Sequence, residues 1–163
     1  MSEVSAAPLV EVAVPCSAWL DVCPDAEALA MAAGGAAIAT SVKAQLIVDV
    51  TLTDDDEQRR LNRTYRGKDR PTNVLAFPQA ETVPAPGAPA LLGDVVLAFE
   101  TVRREAVEQG KPFADHMRHL VVHGVLHLLG FDHEDAADAM AMEAQEIKIL
   151  AGLGVPDPYR GIM

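Results

Sequence analysis

Aromatic side chains are scarce in this chain, with one tryptophan, two tyrosines and four phenylalanines among 163 residues. Alanine, leucine and valine must therefore fill the interior of a chain that is half apolar, long enough to bury a sizeable single core. Cysteine is also sparse. Cys16 and Cys23 could pair in principle, but without a secretion signal they read as reduced thiols. The most apolar run, from Ala28 to Ala39, is too short to cross a membrane and contains Gly34 and Gly35. Glu3 and Glu11 interrupt the N-terminal stretch, so no signal peptide is expected there and residues 1–8 read as a flexible end. Positive charge is in deficit: thirteen basic residues face twenty-four acidic ones, for a net charge of −11 and an isoelectric point near 4.7. That balance argues against a protein that coats nucleic acid indiscriminately; the expected lack of a signal peptide and of a membrane span, with reduced cysteines, reads as a soluble cytoplasmic domain.

What is present is a mixture of strand and helix signals. Leu9–Val14 and Ala44–Val50 read as strands from their branched residues, as do Val74–Phe77 and Leu91–Phe99, joined by a loop through Pro84, Pro86 and Pro89. A helix is expected from Pro24 or Asp25 to Ala39. Another should follow a Thr53 cap, with Asp54, Asp55, Asp56 and Glu57 in its first turn and Gly67 as its stop. Further helices are expected around Glu100–Gln109, through a histidine-rich segment, and from Asp135 to Ala151, with Met140 and Met142 filling core gaps. No repeat or linker divides the sequence. The expectation is one α+β domain over 1–163, with about four strands in a small mixed sheet and about five helices.

The most informative segment is HGVLHLLGFDH, His123 to His133. His123 and His127 are four apart, so on a helix their rings share a face. Gly130 can end that helix in a left-handed turn, and His133 follows at a spacing that lets the chain return a third imidazole. Three protein ligands leave a fourth position open, the pattern of a catalytic zinc-type site. Val121, Val122, Val125, Leu126 and Leu129 occupy one arc of the helix, while His116, His119, His123 and His127 lie within roughly 80° of one another on the opposite arc. One face is thus expected in the core and the other toward a cleft.

Gly124 stands where HExxH metallopeptidases place the glutamate that serves as general base. Without that base, proteolysis is disfavoured. A second concentration of chemistry is positive charge: Arg59, Arg60, Arg63, Arg66, Lys68 and Arg70 supply six of the thirteen basic residues within twelve positions. Pairs of favourable order, Asp55 with Arg59 and Asp56 with Arg60, make an exposed salt-bridged helix face an equal competitor to a phosphate-binding strip. Arg66 differs because it adjoins Gly67 at the helix end, where a side chain can turn into a cleft.

The motif HGVLHLLGFDH, together with LNRTYRGKDRPTNVLAFP (Leu61 to Pro78) and LLGDVVL (Leu91 to Leu97), resembles the signatures of the YbeY family of metal-dependent endoribonucleases. The resemblance implies a mixed sheet flanked by helices, with one zinc-type ion, Zn2+ or Ni2+, on His123, His127 and His133. It also implies catalytic roles for Arg66 and His123, and single-stranded RNA as substrate in small-subunit ribosomal RNA maturation, including its 3′ end, and in ribosome quality control. Ribosomal proteins or a ribosome-associated GTPase are family expectations as partners; neither DNA nor a membrane is expected. Phe131 and Ala76 depart from the family's frequent Tyr and Ser.

In the mechanism these readings suggest, a metal-bound hydroxide attacks the phosphodiester and Arg66 stabilises the charge that develops. Arg63, Lys68 and Arg70 hold flanking phosphates, while His119 and Asp132 support the ligands, with His116 a further candidate. Two other readings remain: a degenerate metzincin-like peptidase, and a ribosome-assembly binding protein with a structural metal.

Overall fold

A computed structural model describes residues 9–41, 46–79, 90–131 and 134–159. Residues 1–8, the loop through Pro84, Pro86 and Pro89, and both Asp132 and His133 lie outside the described residues, as does Ala44. Four strands form where branched residues alternate: β1 (Leu9–Ala13), β2 (Leu46–Thr53), β3 (Val74–Pro78) and β4 (Ala90–Ala98). They make one sheet in the order β1-β2-β4-β3. β1, β2 and β4 run parallel, and β3 closes one edge antiparallel to β4. The six helices among the described residues are α1 (Ala18–Val22), α2 (Ala26–Ile38), α3 (Asp55–Arg66), α4 (Phe99–Gln109), α5 (Phe113–Leu128) and α6 (Ala136–Gly152). Chain order and sheet make this a single α+β domain. No described helix is long and apolar enough to cross a membrane.

Alternation in β2 and β4 sorts the two sheet faces. Val48, Val50, Leu52, Val95 and Leu97 point into the main core with Val121, Val122, Val125 and Leu126 of α5 and the alanines of α2. Aromatics are few, and three of them are gathered at one place. Trp19 of α1 is wholly buried, its indole N–H donates to the Thr53 carbonyl at 2.9 Å, and its ring packs against Phe99 and Phe113 at 5.5 and 5.2 Å. Helix α1 is missing from the sequence reading, because five residues carry no helical period.

Several local expectations are corrected. Thr53 ends β2 instead of capping a helix; the cap is Asp54, whose carboxylate accepts from the Glu57 amide at 2.8 Å. Phe99 opens α4 and does not end β4. Neither i,i+4 pair forms as expected. Asp55 accepts from the backbone and hydroxyl of Thr101 at 3.0 and 2.8 Å, tying α3 to α4. Arg59 takes Asp69 in a two-pronged pair at 2.8 and 3.2 Å, and Arg60 takes Glu57. Asp55 and Arg59 thus take partners outside the helix, while Arg60 pairs three residues back in its own turn. Of the two methionines assigned to core gaps, Met142 is buried and Met140 is 71% exposed.

Helix α5 lies unusually close to the sheet. A Cβ placed on Gly124 would stand 2.7 Å from Val95 Cγ1 and 3.4 Å from Val74 Cγ2, so only glycine fits without displacing β4. The reason for Gly124 is therefore packing, and a glutamate at this position is excluded by sterics as well as being absent. Only half of the histidine arc reaches a cleft: His123 and His127 line it, whereas His116 and His119 are buried. His116 pairs through Nε2 with Glu105 of α4 at 2.9 Å, and the same carboxylate oxygen accepts from Asn73 at 2.9 Å. This clamp joins α4, α5 and the entrance of β3.

Two predictions follow from the α5 contacts. Gly124→Ala should destabilise the protein by about 1–3 kcal/mol through overpacking, read as a lower urea midpoint, and Val95→Ala in the same chain should recover part of the loss. A second concerns His116, whose imidazole burial holds below the ordinary histidine value of 6.5, against the opposing pull of Glu105. The unfolded chain then binds a proton that the native chain refuses. Stability is complete above about pH 6.5 and declines as pH falls through the window between the unfolded and native values. Urea titrations from pH 7 to pH 5 should show a shallower decline in His116→Gln than in the parent, whatever the variant's absolute stability.

Candidate active site

Helix α3 ends at Arg66 because Gly67 adopts the left-handed conformation, φ 71°, and its amide closes on the Arg63 carbonyl at 3.0 Å. The chain from there to β3 is stapled down by two buried amides of α3. Gln58 donates to the Val96 carbonyl at 3.0 Å and accepts from the Thr72 amide at 2.8 Å. Asn62 donates to the Arg70 carbonyl at 2.8 Å. Thr72 and Asn73 are thereby held as one wall of a cleft. The Arg66 side chain reaches back across the exposed edge of β3 and donates from Nη2 to the Ala76 carbonyl at 2.9 Å.

The opposite wall is α5. His123 and His127 line the cleft together with Gly124, facing Arg66, Thr72, Asn73, Val74 and Ala76 across a volume of about 310 Å³. Because Gly124 lets α5 sink toward Val95, the two imidazoles come down to the level of the β3 edge. Directly after His127 the chain reverses. Gly130 has φ 108°, and the amides of Gly130 and Phe131 close on the carbonyls of His127 and Leu126 at 3.1 and 3.0 Å. Gly130 thus ends the helix in the left-handed way its position suggests.

Behind His123 stands a carboxylate that sequence reasoning missed. Glu146 of α6 has no exposed surface. It accepts from His123 Nδ1 at 2.5 Å, from His119 Nε2 at 3.1 Å and from the Tyr159 hydroxyl. Burial pushes this carboxyl upward, but the bonds from His119, His123 and Tyr159 outweigh it and hold the group at about 2. The Tyr159 phenol moves the other way, raised by burial and then by its bond to Glu146. In a neutral ring, a carboxylate acceptor at Nδ1 selects the His123 tautomer that carries its proton there, with the lone pair on Nε2, at the ring edge away from the carboxylate. Carboxylate–histidine pairing of this kind is the usual support of a metal-ligating imidazole. The signal available beforehand was a glutamate in helical register with the apolar positions Met142, Ile149 and Leu150 of α6.

The site residues expected from sequence divide as follows. Arg66, His123 and His127 meet at one cleft. His119 lies behind it, on Glu146. Arg63, Lys68 and Arg70 are exposed and do not line the cleft; Arg63 instead borders a shallow depression with Asp56, Arg59, Arg60 and Asp69. Among the described residues no three His, Cys, Asp or Glu side chains are grouped to share an ion; His133 and Asp132 lie outside the described residues. His123 and His127 are the described residues that could hold a cation in the cleft.

A protein-family model described as endoribonuclease YbeY matches residues 26–154. An endoribonuclease YbeY from Paramagnetospirillum magneticum is 52% identical over 158 residues, covering 92% of this chain and 94% of that protein. One from Rhodopseudomonas palustris is 50% identical, covering 96% of this chain and 84% of its own length. Among solved structures, the solution structure of TM1509 from Thermotoga maritima superposes with a TM-score of 0.56 at 25% identity, over 87% of each chain. The chain belongs to the endoribonuclease YbeY family.

Proposed function

We propose that this protein is a single-strand-specific, metal-dependent endoribonuclease that hydrolyses phosphodiester bonds of ribosomal RNA precursors, including the 3′ end of the small-subunit RNA, in maturation and quality control. Family membership supplies the reaction class. The observation that carries the mechanistic reading is the meeting of Arg66 with His123 and His127 in one cleft.

His123 and His127, with His133 as third ligand, would hold one divalent cation, zinc or nickel, and the donor set fits. Neutral imidazoles suit borderline ions, and the bond from His123 Nδ1 to Glu146 sets the tautomer a ligand needs. Such a cation, when bound, polarises a phosphoryl oxygen and acidifies water toward neutral pH, so no carboxylate base is required on α5. The remaining work falls to the chain. Arg66 spends one N–H on the Ala76 carbonyl, which fixes the plane of a guanidinium whose other donors can fork onto non-bridging phosphate oxygens. Negative charge grows on those oxygens in the transition state, so a donor fixed in advance lowers the barrier. Asn73, held by Glu105, gives the phosphate a neutral neighbour. His119 and Asp132 act as supports. Arg63, Lys68 and Arg70 hold phosphates farther along the strand, outside the cleft. The protein works in the cytoplasm, with ribosomal proteins or a ribosome-associated GTPase as partners.

Three variants and one metal titration test this reading. On a defined ribosomal RNA precursor, Arg66→Ala should lose on the order of 2 to 4 kcal/mol of transition-state stabilisation, and His123→Ala should abolish cleavage. A contaminating nuclease would cut equally in every sample, and peptide turnover surviving Arg66→Ala would revive the peptidase reading. Glu146→Gln keeps the shape but removes the charge. It should weaken metal binding by about 10- to 100-fold, measured by chelator competition; an unchanged affinity would remove Glu146 from the site.

A further inference from the structure

A second hollow, of about 550 Å³, opens on the sheet face away from α5 and shares Arg66 with the cleft. Strand alternation explains the division. Val74 and Val95 face Gly124, so Phe77, Asp94 and Val96 belong to the other face. There α3 covers only part of the sheet, and Tyr65, Arg66 and Phe77 form the rim above a floor that includes Thr51, Asp94 and Val96. Tyr65 is 68% exposed, yet its ring centroid lies 5.2 Å from that of Phe77, inclined by 47°. The Arg66 guanidinium stands 5.7 Å from the Phe77 centroid. Three flat groups thus line one side of the hollow. Two of the molecule's seven aromatic residues are placed here, outside the main core.

The geometry points to this groove as a nucleobase subsite, in which the base beside the phosphate held at Arg66 stacks against Tyr65 and Phe77. The inference rests on reading the cleft as the phosphodiester site. Charge distinguishes what each hollow takes. Arg66 stands on the sheet edge between them, whereas the groove floor carries Asp94 paired in register with Asp49. Burial and then the Asp49 charge push the Asp94 carboxyl above the ordinary aspartate range, the mark of two acids crowded on one surface. Such a floor repels a phosphate and accepts an N–H from a base edge. A nucleotide straddling β3 would then set its phosphate on the cationic side and its base on the aromatic, anionic side. Stacking on aromatic and guanidinium planes is how unpaired RNA bases are held without a strict sequence code.

The test uses the full-length, metal-loaded protein and single-stranded oligoribonucleotides in which one abasic residue is stepped along the strand. In the parent, an abasic residue at one position next to the cleaved bond should lower kcat/KM by about 5- to 100-fold, the usual yield of one stacked base. Tyr65→Ala should lose a similar factor on intact RNA and become indifferent to the abasic residue, whereas Tyr65→Trp should retain both activity and sensitivity. Equal sensitivity of parent and Tyr65→Ala to the abasic residue overturns the subsite, as does full activity of Tyr65→Ala on intact RNA. A parent that cleaves no RNA overturns the nuclease reading itself, which keeps the two failures distinct. If Tyr65→Ala impairs only binding to a ribosomal protein, the groove is a protein-docking surface and the base subsite is rejected.

Discussion

The approach of α5 to β4 at Gly124 and Val95 is the constraint on which the rest of the architecture depends. Helices packed on sheets are normally held off by side chains on both surfaces. Removing one Cβ lets α5 settle lower, which places His123 and His127 beside the β3 edge instead of above it. The same edge is where Arg66 arrives from the other side of the sheet. Two elements far apart in sequence, the end of α3 and the C-terminal half of α5, therefore meet across the width of one strand. A residue with any side chain at position 124 would lift the imidazoles away from the arginine and open the cleft that brings them together.

The second organising element is the buried charge of Glu146. An ionised carboxylate with no exposed surface carries a heavy desolvation penalty and persists only because three donors converge on it. Two of those donors are histidines one turn apart on α5, and the third is Tyr159, beyond the end of α6. The network thus couples the orientation of His123 to the docking of α6 and of the segment that follows it. His116 is held in parallel by Glu105, which also carries Asn73. In both cases a carboxylate on a neighbouring helix fixes an imidazole of α5, and the cleft wall inherits its rigidity from that pairing.

The fold class, the order of strands and of all helices but the short α1, and the family could be read from the residues, because they rest on local patterns: branched alternation in β2, acidic residues opening α3, glycines at 67 and 130. What escaped were contacts between distant elements. Asp55 gave up its expected helical partner for Thr101, and Arg59 chose Asp69, since a spacing rule cannot see a neighbour forty-six or ten residues away. Gln58, Asn62 and Glu146 look like ordinary polar positions on helices; only their complete or near-complete burial reveals that they hold the cleft together. The histidine stripe of α5 misled in a different way. Four imidazoles on one arc suggested a single face toward the cleft, whereas flanking α4 and α6 bring carboxylates that bury half of it. Gly124 was read as a missing base, and its steric role is visible only with β4 in place.

An acidic protein that acts on a polyanion must confine its positive charge. Here the confinement is topological. Exposed cations of α3 are partly neutralised in pairs, Arg59 by Asp69 and Arg60 by Glu57, while Arg66, at the helix end, donates to a neutral backbone carbonyl and so keeps its charge uncompensated by that bond. The acids of the second sheet face, Asp94 and Asp49, lie one and two strands in from the β3 edge. A strand of RNA meeting this surface finds attraction at Arg66 on the sheet edge and repulsion over the acids of the second face. Such a field favours a phosphate seated at the strand edge over one laid across the acidic sheet face.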